Sequence, residues 1–78
     1  MIQARTVIKA LKQETGTAAE LELVDGNGYW YFTYTVRDEA GQVVKFDTWS
    51  VYTMRLNDLP LDTWLYEGRK MIAGMEAE

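Results

Sequence analysis

The apolar pattern of this chain switches period twice: helical, then alternating, then helical again. From Ile2 to Glu14 the apolar positions Ala4, Val7, Ile8 and Leu11 follow the i, i+3, i+4, i+7 spacing of an amphipathic helix. Arg5, Lys9 and Lys12 repeat that spacing on another face, so helix 1 carries a buried stripe and a basic one. Gly16 stands where a left-handed residue would stop it. In TAAELELV, Ala19, Leu21 and Leu23 then alternate with Glu20 and Glu22, the period of a half-buried strand. Asp25-Gly26-Asn27-Gly28 follows, and its Asp-Gly and Asn-Gly steps supply the positive φ angles of a tight hairpin, which makes strands 1 and 2 antiparallel neighbours. As a calcium loop the same stretch fails, because Tyr29 and Trp30 stand where a further oxygen ligand and a glycine are needed.

Strand 2, YWYFTYTVR, packs five aromatic residues into a run of six. The pleat divides them: Trp30, Phe32, Tyr34 and Val36 take the core face, and Tyr29, Tyr31, Thr33, Thr35 and Arg37 the opposite one. The DEAG connection at 38–41 offers Gly41 for the left-handed position of a bulged turn. In strand 3, QVVKFDTWSVYT, Val44 and Phe46 are assigned to the core face, and Val43, Lys45 and Asp47 to the open one. Trp49 and Val51 share the phase of Lys45 and Asp47. Either a bulge near Thr48 turns them inward or one face carries an exposed tryptophan, and the pattern leaves both open. RLNDLP is a connection in which Asp58 is expected to cap, and Pro60 to enter the first turn of, a second helix. That helix buries Leu61, Leu65, Gly68, Ile72 and Met75, broadened by Trp64 and Met71, with Gly68 expected to receive a bulky aromatic from the sheet. The expected fold is a single α+β domain over 1–78, in α-β-β-β-α order. It is a two-layer sandwich of a three-stranded antiparallel meander with both helices on one face.

Composition narrows the chemistry. The chain has 78 residues, no cysteine and no histidine, which leaves neither a disulfide framework nor the usual zinc spacings, and no metal or cofactor is expected. At this size folding hides only about 60% of the surface of the unfolded chain, so the core holds the fold alone or a partner assists it. Absent cysteine fits a cytoplasmic location, charges interrupt the apolar residues of the N-terminus as they do not in a signal peptide, and no apolar run is long enough to cross a bilayer. Net charge is −4; residues 1–13 hold three bases and no acid, leaving five bases against 12 acids, a balance of −7, for the remainder. An acidic body repels phosphate backbones and favours basic protein surfaces.

An enzyme is not expected. Histidine and cysteine are absent, Ser50 is the only serine, and carboxylate pairs such as Glu20 with Glu22 or Asp38 with Glu39 read as solvated surface acids. The order of elements is similar to that of double-stranded RNA-binding domains, which implies phosphate contacts from the second helix and the first hairpin. Asp58, Asp62 and Asp25 occupy those places here, so direct nucleic-acid binding is not expected. The expected contact surface is the open sheet face: Tyr29, Tyr31, Thr33 and Thr35 flanked by Glu20, Glu22, Asp47 and Trp49, docking onto a basic surface of a larger protein. In size, acidity and absent chemistry the chain resembles small inhibitors that phages direct at host defence systems, anti-CRISPR proteins among them. That likeness implies a partner whose basic surface binds nucleic acid. Two alternatives stay open. One is a homodimer through the open face or through the edge of strand 1, and the other is a contact through the basic stripe of Arg5, Lys9 and Lys12.

Overall fold

The computed structural model of the chain describes residues 1–77. Its elements are α1 (Ala4–Thr15), β1 (Glu20–Asp25), β2 (Trp30–Arg37), β3 (Val43–Val51), a 3-10 turn (Leu56–Asp58) and α2 (Leu61–Glu76). The strands form an antiparallel meander in the order β1-β2-β3, and both helices cover one face of it, so the fold is the expected two-layer α+β sandwich. Gly16, at φ 67°, ends α1 by donating its N–H to the Lys12 carbonyl.

Turn chemistry sets both hairpins. In the first, Asn27 and Gly28 have φ of 63° and 111°, and the Asp25 carboxylate accepts the Asn27 N–H at 2.8 Å. Gly26 serves another purpose there: a methyl group at its Cα would lie 2.6 Å from the Tyr29 ring, which therefore lies flush on the backbone. In the second, Asp38 accepts the N–H groups of Ala40 and Gln42 while Gly41 takes φ 82°, the bulged turn expected of DEAG.

The core joins Val7 and Leu11 of α1 to Leu21 and Leu23 of β1, Phe32 and Tyr34 of β2, Val51 of β3 and the inner side of α2. Trp64, fully buried at the start of α2, is its anchor. Its ring meets Trp30 and Phe32 edge-on at 6.3 and 6.2 Å, and its Nε1 donates to the Leu56 carbonyl at 2.9 Å. Such ring pairs add about 0.5–1.5 kcal/mol each beyond the area they bury. Two expectations change here. Gly68 receives Leu11 of α1 rather than an aromatic from the sheet, because the helices cross where α2 lacks a side chain. Asp58 caps the 3-10 turn, accepting from the Arg55 N–H at 3.0 Å, and Pro60 takes the N-cap position of α2.

The phase of β3 is the larger correction. Val36 pairs with Lys45 and Arg37 with Val43, so Val44 is the extra residue of a bulge at the start of the strand, not near Thr48. Everything after it is shifted by one relative to the assignment made on Val44 and Phe46. Lys45, Asp47, Trp49 and Val51 lie opposite Val36, Tyr34, Phe32 and Trp30, on the side of the helices. Lys45 Nζ accordingly donates to the Met75 carbonyl at the end of α2, a cation at the negative pole of a helix. Trp49 Nε1 donates to Glu67 of α2 at 3.2 Å. Phe46, by contrast, pairs with Thr35 and is 58% exposed.

One polar bracket closes the far end of the layer. The Glu76 carboxylate accepts the buried Tyr34 hydroxyl at 2.8 Å and the Thr17 hydroxyl, tying α2 to β2 and to the segment before β1. Hydrogen bonds from Thr17 and then Tyr34, with the charge of Lys45 behind them, hold the Glu76 carboxyl below its ordinary value. Burial, followed by the hydrogen bond and charge of Glu76, pushes the Tyr34 phenol up.

Candidate functional site: the open sheet face

Antiparallel pairing fixes what the uncovered face carries. Glu20, Glu22 and Val24 of β1 lie opposite Thr35, Thr33 and Tyr31 of β2, which in turn face Phe46, Thr48 and Ser50 of β3. The surface is therefore a row of hydroxyls with an aromatic cluster at one end and apolar side chains toward the β3 edge. Tyr29 joins the cluster from the hairpin, its ring 5.9 Å from that of Tyr31 and 6.1 Å from that of Tyr52. Tyr29 and Tyr31 are half-buried by one another and by the backbone at Gly26, whereas Tyr52 is 87% exposed. Rings immobilised in this way lose little entropy when a partner covers them, which is why tyrosine is common at the centres of protein interfaces.

Of the residues expected on this face, Tyr29, Tyr31, Thr33, Thr35, Glu20 and Glu22 are brought together there. Asp47 and Trp49 are not. The bulge at Val44 places both on the helix side, where Asp47 is exposed and accepts the Thr48 N–H at 2.8 Å and Trp49 is half-buried against α2. In their place stand Phe46, Thr48, Ser50 and Tyr52, with Val43 and Val44, 49% and 61% exposed, at the edge. The sequence held one signal for this. Lys45, Asp47, Trp49 and Val51 form a single in-phase set, and the Gly41 turn favours a bulge beside it.

The electrostatics of the face are milder than its acids suggest. Arg37 Nε donates to Glu20 at 2.7 Å and its guanidinium also reaches the Gly41 carbonyl at 3.0 Å, so Glu20 carries a paired charge and Glu22 an open one. Asp38 is occupied by the amides of its own turn, so the carboxylate pairs considered for acid–base work act as structural acceptors or lie open to water. The basic stripe lies elsewhere: Arg5, Lys9 and Lys12 are exposed along α1, on the layer behind the sheet. No helix among the described residues is long and apolar enough to cross a membrane. Comparison of the chain with models of protein families, with curated proteins and with solved structures found no match.

Proposed function

We propose that the protein is a non-catalytic binding module whose open sheet face docks onto a larger protein carrying a basic surface. The observation that carries this reading is the composition of that face. Tyr29, packed against both Tyr31 and Tyr52, gathers an aromatic cluster at one end, threonine and serine hydroxyls supply hydrogen bonds beside it, and carboxylates lie along the β1 side. Aromatic side chains bordered by polar ones are common in protein interfaces, and the negative balance of the chain outside α1 speeds encounter with a positive partner. Basic protein surfaces are what bind nucleic-acid phosphates, so the finer form of the proposal is that the module occludes such a surface, as an inhibitor of a nucleic-acid-handling protein would. Direct stacking of bases on the rings is disfavoured because the one cation in the strand pairings of this face, Arg37, is already held by Glu20.

Affinity capture from host lysate with the wild type, Tyr31→Ala and Phe46→Glu tests the proposal. A single protein retained by the wild type, released as salt rises and lost with both variants supports it. Equal retention by all three overturns it. A second reading, a face-to-face homodimer, is favoured by the exposed Val43, Val44 and Phe46 at the β3 edge. Sedimentation at micromolar concentration separates the two, since only self-association gives a dimer that Phe46→Glu dissociates.

A further inference from the structure

A groove of about 540 Å³ runs along the free edge of β1, between that strand and α1. Leu21 and Leu23 point under the helix while Glu22 points to the opposite face, so a groove lined by all three follows the strand's unpaired backbone. Ala4 and Ile8 complete an apolar floor, and Arg5, Lys9 and Lys12 stand along the helical wall. Neither Lys9 nor Lys12 has a carboxylate partner among the described residues.

We propose that this groove binds an extended acidic segment of another protein, which adds to the edge of β1 as a fourth strand with its carboxylates against Arg5, Lys9 and Lys12. Spacing and charge both favour that occupant. Arg5 and Lys9 are about 6 Å apart along the helix axis and Lys12 about 4.5 Å farther. Alternate side chains of a strand recur about every 6.6 Å, so glutamates two apart match the Arg5–Lys9 step, and the shorter step to Lys12, about 2 Å less, falls within the reach of its flexible four-carbon stem. Their methylenes cover Ile8 and the leucines, and the free N–H and C=O groups of β1 gain partners. A second copy of this chain is the poorer occupant. Antiparallel pairing of two β1 strands in a continuous sheet sets the two basic stripes side by side, and likewise the two Glu20–Glu22 rows, like charge against like in both layers. The segment that fits therefore has glutamates facing α1 and hydroxyl or basic side chains beside Glu20 and Glu22. This site is independent of the tyrosine face.

The test is fluorescence anisotropy with an eight-residue peptide alternating glutamate and threonine, set against the same peptide with lysine for glutamate. The wild type should bind the glutamate peptide, the Lys9→Glu/Lys12→Glu variant at least tenfold more weakly, and Tyr31→Ala as the wild type does. Methylating the backbone nitrogens of every second residue, in the two possible registers, should abolish binding in one register and spare the other. Absent binding, affinity unchanged by the charge reversal, or indifference to both methylated registers each overturns the proposal. So does a dimer through β1 that excludes the peptide, or tighter binding of decanoate than of the peptide.

Discussion

Gly68 lets α2 lie directly on Leu11 of α1. A Cβ there would come within 2.9 Å of Leu11 Cδ2 and 3.1 Å of Cγ, and Leu11 has no exposed surface into which to retreat. Gly68→Ala should therefore destabilise the fold by up to about 2 kcal/mol, the overpacking cost outweighing the roughly 1 kcal/mol gain in helix propensity. Urea denaturation reads this directly. The double variant Leu11→Ala/Gly68→Ala should lose less than the sum of the two single changes, and strict additivity would mean the residues do not touch. At Glu76 the sign of the pH dependence follows from its depressed carboxyl. Its contribution is present above the ordinary value of 4.5 and is lost as pH falls through the lower folded value. Tyr34 is raised, so its contribution is present below 10.0 and is lost as pH climbs through the higher folded value. Between those limits stability should be flat. The gap between the wild type and Glu76→Gln should close in acid, and Tyr34→Phe should cost about 1 kcal/mol at neutral pH; a gap that widens in acid would assign Glu76 the opposite shift.

At the scale of elements, β1, β2 and both helices were legible because each has one strong period, and for α1, β1 and β2 a turn residue marks the end as well. Gly16 and Gly41 adopt the left-handed conformations their positions implied. Strand β3 was not, for a physical reason. It is an edge strand that the helices only partly cover, so charged Lys45 and Asp47 are tolerated on the inner side and Val44 and Phe46 on the outer. Burial then no longer dictates which side is apolar. One extra residue inverts the face of everything beyond it. This is also why only part of the expected contact set shares one face: its β1 and β2 members depended on clean alternation, while Asp47 and Trp49 depended on the position of a bulge. Alanine substitution separates the two phases. Phe46→Ala should change stability by no more than about 0.5 kcal/mol, as exposed side chains do. Trp49→Ala should cost about 2 kcal/mol or more, since it empties space against the core and strands the Glu67 partner. The reverse order would restore the inner position of Phe46.

At the scale of the whole molecule, the sandwich carries its basic stripe and its tyrosine cluster on opposite layers. The helix layer presents cations along α1, and the sheet layer presents tyrosines, hydroxyls and an unpaired Glu22. The two proposed contacts, the tyrosine face and the groove beside β1, thus differ in the sign of the charge they present. Raised salt should weaken docking at both, because the Debye length, about 10 Å at 0.1 M, shortens as salt rises. Nitration of tyrosine, mapped residue by residue with and without the captured partner, tests the central claim most directly. In the free protein Tyr31 and Tyr52 should react while buried Tyr34 is spared, and in the complex Tyr31 and Tyr52 should become protected while Tyr66, exposed on α2, stays reactive. Protection of Tyr66 with Tyr31 and Tyr52 still reactive would place the partner on the helix layer and contradict the account.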